Sequence, residues 1–306
     1  FKALGGAYAV RRVLERNPGV PPQDITVTCA TDGNHGRSVA WGAQLFGCKC
    51  TIFIHETVSE GRRAAIARYG ADVVRVKGNY DDAVRHAAAS AARNGWFVVS
   101  DTSYEGYRDV PTDVMHGYGV MAGEIGAQLG GAIPTHVLVQ AGVGALAAAM
   151  CASFWLRWAE RRPRFVIVEP TKADCFYRSI AAGRPVAVTG DLDTVMAGLA
   201  CGEVSELGWE ILKTGIDALV AIDDGWALEG VRAFARPAAG DPAIVSGETG
   251  AAGLAALLAV QRRPVMLRTL GLDASSRVLL FGSEGDTDPE IYTRIVGRSA
   301  EEVLAA

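Results

Sequence analysis

At 306 residues, the chain is longer than the ~250 residues that one hydrophobic core usually supports, which predicts two domains. Its 49% hydrophobic and 21% charged residues are typical of a soluble globular protein. The net charge of −4 gives no electrostatic reason to expect a nucleic-acid or acidic-membrane partner. The longest apolar stretches, such as residues 251–260, are shorter than the ~20 residues that a membrane span needs.

The first residues and the cysteines bear on where the protein acts. The sequence opens at Phe1 without an initiator Met, so we expect that an upstream segment is missing. A basic segment followed by an apolar one is also absent, so no secretion signal is visible. The six cysteines lack metal-site spacing and indicate a reducing compartment, which favours a cytoplasmic protein.

The first part of the sequence alternates helical stretches with short β-branched runs. Residues 2–8 predict a helix that Gly5 and Gly6 interrupt early. The pattern then predicts, in order, a strand at 25–29, a helix at 36–46, a strand at 50–54, a helix at 59–69, a strand at 72–76, a helix capped by Asn79 and a strand at 97–100. This alternation predicts a parallel sheet flanked by helices.

A second series follows a long predicted helix at 111–129. Its predicted strands are 136–140, 165–169, 218–222 and 277–281, with helices between them that include the alanine-rich run 249–260. The sequence therefore predicts two α/β domains, at 1–133 and 134–306.

Three loops at predicted strand ends are rich in glycine and polar residues, namely 31–36, 140–145 and 282–288. Ligands of open parallel sheets bind at the carboxyl ends of the strands. In the second loop, Gly142 and Gly144 permit close backbone approach to a phosphate, and the next helix offers unpaired N–H groups. A tight turn without a ligand explains that loop equally well, since it completes no P-loop or dinucleotide motif.

The other two loops also have simple structural explanations. Asp32 and Asn34 are common turn and capping residues, and His35 alone is more often structural than catalytic. The acids of the third loop fit a solvated turn or a metal site, but EF-hand spacing is absent, so no metal is expected.

Longer motifs carry a family resemblance from Phe1 to about Asp288. They begin with Phe-Lys-x-Leu-Gly-Gly-x-Tyr at 1–8 and Thr-Asp-Gly-Asn-His-Gly-Arg at 31–37. Further matching stretches are 101–107, 134–144, 168–175, 196–203, 246–251 and 285–288. The sequence resembles the fold-type II, tryptophan synthase beta-like, pyridoxal-phosphate enzymes, and within them the diaminopropionate ammonia-lyase family.

The resemblance implies two open, mostly parallel α/β domains with pyridoxal 5'-phosphate in the cleft between them. It implies that the amine of Lys2 carries the cofactor as a Schiff base, and that Asn34 hydrogen-bonds the ring hydroxyl. It places Ser283 beside the pyridine nitrogen, with the adjacent Glu284 expected to point away from the ring. The cofactor phosphate would be held by the backbone of Gly142, Val143, Gly144 and Ala145.

Two acids suggest the substrate. Asp32 stands where related serine and threonine dehydratases carry a small hydroxylic residue, and its charge would attract the second ammonium group of a diamino acid. We expect Lys2 to remove the α-proton of the L-isomer and Asp32 that of the D-isomer, while Asp101 reaches the second amine. The rest of the loop (Thr31, Gly33 and His35) would receive the substrate carboxylate.

The expected reaction is elimination of 2,3-diaminopropionate to pyruvate and ammonia, by an enzyme that similar proteins suggest is a homodimer. The resemblance also matches Cys175 and Cys201 to a pair that can form a disulfide, and two reduced thiols are equally consistent with the sequence. Two other functions stay open: a serine or threonine dehydratase-like lyase, and a non-catalytic protein that binds a nucleotide with the glycine loops.

Overall fold

The computed structural model of the chain describes residues 1–31 and 33–305, and it leaves the side chain of Asp81 undescribed. The chain divides into two compact units, Phe1–Glu124 and Ile125–Ala306. We call them the N-terminal and C-terminal units. The sequence-based boundary at 133/134 lies a few residues after this division and stays a prediction.

The N-terminal unit contains one four-stranded sheet and its helices. In chain order its elements are α1 (Lys2–Arg16), β1 (Thr26–Ala30), α2 (Asn34–Phe46), β2 (Lys49–His55), α3 (Glu60–Ala67), β3 (Asp72–Val76), α4 (Tyr80–Asn94), β4 (Phe97–Val98) and α5 (Asp109–Gln128), the last of which crosses into the next unit. The strand order is β3-β2-β1-β4, and every pairing is parallel. The predicted parallel sheet is confirmed.

The C-terminal unit repeats this strand order. Its elements are β5 (His136–Gln140), α6 (Ala145–Trp158), β6 (Arg164–Pro170), α7 (Cys175–Ala182), α8 (Glu206–Gly215), β7 (Ala218–Ile222), α9 (Asp224–Ala235), α10 (Ala252–Gln261), α11 (Pro264–Leu270), β8 (Val278–Leu280), α12 (Pro289–Val296) and α13 (Ala300–Leu304). The order β7-β6-β5-β8 is again parallel throughout. Two open α/β units of fold-type II topology are therefore present, as predicted.

The core of the C-terminal unit explains why its strands read as continuous apolar runs. All five residues of β5 are buried, because helices cover both faces of a parallel sheet. Leu138 of β5 and Val166 of β6 pack in one cluster with Ala255 and Ala256 of α10. The small side chains of α10 let this helix lie close to the sheet.

Capping residues fix several helix ends. The side chain of Asn79 accepts a hydrogen bond from the backbone N–H of Asp82, and the Asp82 side chain accepts one from the backbone N–H of Asn79. This capping box satisfies two N–H groups at the start of α4. The predicted role of Asn79 as N-cap is confirmed.

The prediction that Gly5 and Gly6 interrupt the first helix is wrong. Helix α1 runs unbroken from Lys2 to Arg16. A Cβ on Gly5 would lie 2.7 Å from the carbonyl oxygen of Val114 in α5, and one on Gly6 would overlap the side chain of Ser38 in α2. The two glycines therefore serve close helix packing, which offsets the cost of ~1 kcal/mol for each glycine in a helix.

Candidate active site

The predicted site residues follow strands that flank one position in each sheet. Strand order reverses between β1 and β4 in the N-terminal unit and between β5 and β8 in the C-terminal unit. Ligands of open α/β sheets bind at such switch points, at the carboxyl ends of the strands. Thr31 to His35 follow β1 and Asp101 follows β4, while Gly142 to Ala145 follow β5 and Ser283 follows β8.

Lys2 and Asp101 form an ion pair in the N-terminal unit. The Nζ of Lys2, the first residue of α1, donates to Oδ2 of Asp101, and the two side chains are 23% and 13% exposed. Burial by itself would raise the pKa of Asp101, but the nearby charge of Lys2 outweighs it and holds that pKa well below its usual range. The structure therefore pairs the predicted cofactor lysine with a permanently ionised carboxylate.

His35 lies beside this pair as a neutral imidazole. Its Nε2 lies 2.8 Å from the carbonyl oxygen of Val99, which only accepts, so Nε2 carries the hydrogen. Burial lowers the pKa of His35 and favours the neutral ring. Its Nδ1 is 3.9 Å from Oδ2 of Asp101 and has no hydrogen-bond partner among the described residues.

The loop after β1 is fixed by the side chain of Thr31. Its Oγ1 accepts hydrogen bonds from the backbone N–H groups of Gly33 and Gly36, each at 3.0 Å. Asn34 is the first residue of α2 and is partly buried. Asp32, predicted to be catalytic and substrate-binding, lies outside the described residues.

The loop after β5 presents a row of backbone donors. Within the described part of the chain, the N–H groups of Gly142, Val143, Gly144 and Ala145 donate to no protein acceptor, and Ala145 begins the 14-residue helix α6. The carbonyl oxygen of Val143 accepts the backbone N–H of Ser205 at 2.9 Å. This arrangement leaves consecutive N–H groups available at the positive end of a helix dipole, as a phosphate requires.

The glycines of this loop are required by their surroundings. Gly144 has φ +98°, and a Cβ there would overlap the ring of Phe176. A Cβ on Gly142 would lie 3.0 Å from the carbonyl oxygen of Gly198 and 3.1 Å from Sγ of Cys201. Both contacts are closer than ordinary van der Waals packing allows, so larger residues would displace the loop.

Ser283 is buried at the other strand end. Its Oγ accepts a hydrogen bond from Nε2 of Gln140, the last residue of β5, and the same nitrogen donates to the carbonyl oxygen of Phe281 at 2.9 Å. Oε1 of Glu284 accepts the backbone N–H of Thr249 at 3.0 Å. That bond gives the Glu284 carboxylate a partner within the C-terminal unit.

The two cysteines of the predicted disulfide are thiols in this structure. The Sγ of Cys175 lies 3.6 Å from both the carbonyl oxygen of Gly142 and Oε1 of Glu169. Burial raises the pKa of the Cys175 thiol, and the neighbouring Glu169 raises it further. Both sulfur atoms lie near Gly142, and the pairing of Cys175 with Cys201 stays a prediction.

Sequence reasoning assigned no role to three buried polar side chains near these groups: Gln140, Glu169 and Tyr118. Tyr118 in α5 is fully buried, its ring centroid is 5.0 Å from that of Phe1, and its hydroxyl has no hydrogen-bond partner in the part of the chain that the structure describes. Gln140 and Glu169 end apolar strands, so a polar residue at the end of a buried run was the available signal. The partners of Gln140 lie 141 and 143 residues away, whereas those of Glu169 follow it by six to eight residues.

The residues present fit pyridoxal phosphate. An amine is available for a Schiff base at Lys2, a row of unused backbone donors suits a phosphate at 142–145, and a buried hydroxyl suits a heterocyclic nitrogen at Ser283. Among the described residues, no cluster of three or more His, Cys, Asp or Glu side chains is arranged to hold a metal ion. No helix within this part of the chain is both long and apolar enough to cross a membrane.

Comparison with known proteins agrees with this fit. Residues 1–265 match the family described as pyridoxal-phosphate dependent enzyme. The chain is 41% identical to a diaminopropionate ammonia-lyase of Escherichia coli strain K12, over 97% of this chain and 79% of that protein.

Solved structures give the same result. The structure of the Escherichia coli diaminopropionate ammonia lyase in complex with an aminoacrylate-PLP azomethine reaction intermediate superposes with a TM-score of 0.91 at 41% identity, covering 97% of this chain and 79% of that one. The complex of that enzyme with D-serine gives 0.90 at 39% identity, covering 98% and 80%. The chain therefore belongs to the diaminopropionate ammonia-lyase family of pyridoxal-phosphate dependent enzymes.

Proposed function

We propose that this chain eliminates ammonia from both isomers of 2,3-diaminopropionate, forming pyruvate and a second ammonia. The observation that carries the proposal is the ionised Asp101 beside the amine of Lys2. A permanently negative group at this position attracts the second ammonium of a diamino acid, whereas a hydroxy-amino acid offers no such group. The 41% identity to diaminopropionate ammonia-lyase supports the same substrate.

When bound, pyridoxal phosphate withdraws electron density from the substrate α-carbon and so makes its proton acidic. Lys2 holds the cofactor covalently and, once released by the substrate, its amine takes the α-proton of the L-isomer. Asp32 takes the α-proton of the D-isomer from the opposite face. Asp101 orients the β-ammonium, which already carries the proton with which it leaves as ammonia.

The remaining predicted residues bind and orient. The N–H groups of 142–145 hold the phosphate, Asn34 hydrogen-bonds the ring hydroxyl and Ser283 faces the ring nitrogen. The substrate carboxylate is received by the loop that contains Thr31, Gly33 and His35. Two observations support the last assignment: Thr31 fixes this loop, and the backbone N–H of His35 donates to no acceptor among the described residues.

Pyruvate release from D- and L-2,3-diaminopropionate, measured beside D- and L-serine, tests the function. We expect turnover of both diaminopropionate isomers because two separate bases serve the two faces. Pyruvate from L-serine with none from diaminopropionate would instead identify a dehydratase. No pyruvate from any of these amino acids, with a nucleotide bound instead, would identify the non-catalytic alternative.

The two-base arrangement makes a separate prediction for Asp32→Asn. Removing a general base costs about 10²- to 10⁴-fold in rate, so turnover of the D-isomer should fall by that factor while turnover of the L-isomer changes far less. The exposed Asp24 offers a matched control, since Asp24→Asn should change neither rate. Equal losses on both isomers would contradict separate bases.

We also propose that the enzyme is a cytoplasmic homodimer. The six cysteines without metal-site spacing support a reducing compartment, and the family resemblance supports the dimer. Sedimentation of the purified holoenzyme at several concentrations tests the dimer directly, because a single species of one-chain mass would contradict it.

A further inference from the structure

Gln140 connects the two strand ends at which the C-terminal unit carries its predicted site residues. It is the last residue of β5 and only 3% exposed. Its Nε2 donates to the carbonyl oxygen of Phe281 at 2.9 Å and to Oγ of Ser283 at 2.5 Å, both just beyond β8. Since β5 and β8 are neighbours in the sheet, one amide reaches both groups.

The chemistry of these three groups fixes which atom donates. The carbonyl of Phe281 only accepts, so the end of the amide that faces it must be the NH2 group. The same nitrogen has only hydrogens to offer to Ser283, so the oxygen of Ser283 must accept. The hydroxyl hydrogen of Ser283 is then directed to another acceptor.

Within the described part of the protein, this hydrogen is donated to no acceptor, and the unpartnered Oε1 of Gln140 belongs to the same amide whose nitrogen already faces Ser283. Ser283 is 8% exposed, and its hydroxyl donates to no described group. The nearest carboxylate in sequence, that of Glu284, accepts the backbone N–H of Thr249. A buried hydroxyl hydrogen without an acceptor costs about 1–3 kcal/mol, so the site is arranged for a ligand atom with a lone pair.

We propose that Gln140 is a positioning residue, which fixes Ser283 as a hydrogen-bond donor to the ring nitrogen of bound pyridoxal phosphate and so keeps that nitrogen unprotonated. This inference rests on the proposed function, which places Ser283 at the ring nitrogen. A hydroxyl that must donate stabilises a nitrogen lone pair, whereas one free to accept would stabilise a ring N–H. The cofactor is thereby held as a weaker electron sink, which suffices when a leaving group stands on the β-carbon.

The protonation state of the ring nitrogen is measurable without turnover. The holoenzyme is reconstituted with pyridoxal phosphate that carries nitrogen-15 in the ring, and its resonance is recorded at neutral pH. Unprotonated pyridine nitrogen resonates far downfield of pyridinium, and we expect the unprotonated position for the unmodified chain.

Gln140→Glu should move the resonance upfield, towards pyridinium. An ionised carboxylate cannot donate to Ser283, so the hydroxyl turns its hydrogen to the carboxylate and its lone pair to the ring nitrogen. Gln140→Met keeps the side-chain volume without a donor and should move the resonance in the same direction by less. Gln140→Met also provides the test if Gln140→Glu does not retain the cofactor.

Two further variants separate the outcomes. Gln261→Met makes the same exchange at an exposed glutamine and should leave the resonance in place. Ser283→Ala removes the hydroxyl and should shift the resonance. A shift in Ser283→Ala with none in either Gln140 variant overturns the role of Gln140 alone. No shift in Ser283→Ala overturns the proposed placement of Ser283 and the inference with it.

Discussion

Each unit of this enzyme buries a carboxylate at the end of its sheet, and the two are held in opposite ways. In the N-terminal unit, Asp101 pairs with Lys2, and its pKa lies well below the usual range. In the C-terminal unit, Glu169 accepts only neutral donors: the backbone N–H groups of Phe176 and Tyr177 at 2.8 and 2.9 Å, and the thiol of Cys175. Burial raises the pKa of Glu169 to about 7, although these N–H groups lower it.

The contrast separates two kinds of chemistry. The N-terminal unit pairs a positive and a negative charge, Lys2 and Asp101, at the position where we propose that protons and ammonium groups are bound. The C-terminal unit presents neutral donors: the loop 142–145, the amide of Gln140 and the hydroxyl of Ser283. Glu169 caps the start of α7, and this helix packs Phe176 against Gly144.

Lys2→Met tests the contrast most strongly, because it leaves Asp101 buried without its cation. Breaking a fully buried pair costs about 3–5 kcal/mol, so breaking this partly buried pair should cost less than that, and turnover should be lost with the cofactor's covalent attachment. In the unmodified chain the depressed pKa of Asp101 adds stability above the unfolded pKa of ~3.9, which is lost as the pH falls. The variant's deficit, measured by urea unfolding of cofactor-free protein, should therefore grow from acid to neutral pH.

The matched control is Lys213→Met at an exposed lysine, which should change the free energy of unfolding by less than about 0.5 kcal/mol. A deficit for Lys2→Met that is independent of pH would show that Asp101 does not depend on this cation.

For Glu169 we expect the free energy of unfolding to depend on pH in the opposite direction. A carboxyl whose folded pKa is raised from 4.5 to about 7 adds stability that is complete below 4.5 and lost as the pH rises through 7. The loss amounts to about 3 kcal/mol, and Glu169→Gln should abolish it because an amide does not titrate. Urea unfolding of both proteins across this range measures the difference. The exposed Glu124→Gln should keep the slope of the unmodified chain, and a slope unchanged in Glu169→Gln would contradict the assignment.

Gly144→Ala tests whether stability and cofactor binding in the C-terminal unit depend on the backbone conformation of the loop after β5. The comparison is with the N-terminal unit, whose stability we expect to depend on the charge of Lys2. The left-handed backbone and the overlap with Phe176 should together cost about 2 kcal/mol and weaken binding of pyridoxal phosphate. Gly225→Ala is the matched control, since a Cβ at Gly225 meets nothing within 4 Å and its φ is not positive. Equal cofactor affinity in the two variants would show that the loop tolerates displacement.

Much of the fold was predictable from the sequence, because short β-branched runs alternate with helical stretches along the chain. The strands at 72–76, 136–140 and 218–222 were predicted to the residue. The continuity of α1 was not predicted. The close packing that Gly5 and Gly6 permit involves helices α2 and α5, which come later in the chain.

The candidate site was likewise predictable from the sequence only in part. Lys2, Asp101 and the first glycines of the loop after β5 lie in motifs that carry the family resemblance, and the structure brings Lys2 and Asp101 into contact. Gln140 gave no sequence signal for its role because its partner Phe281 is 141 residues away. The tautomer of His35 likewise depends on the carbonyl oxygen of Val99, which the fold brings within 2.8 Å of Nε2 from 64 residues along the chain.

Glycines in α1 and in its neighbours α2 and α5 restrict which substitutions the packing around α1 can accept. Backbone meets backbone where α1 contacts its neighbours: a Cβ on Gly117 would lie 2.5 Å from the carbonyl oxygen of Leu4, and one on Gly42 2.7 Å from Cα of Ala7. These contacts involve backbone atoms, so no side chain can change its rotamer to make room for a larger residue. The helix that begins at Lys2 is therefore held at positions where a substitution would have to displace backbone.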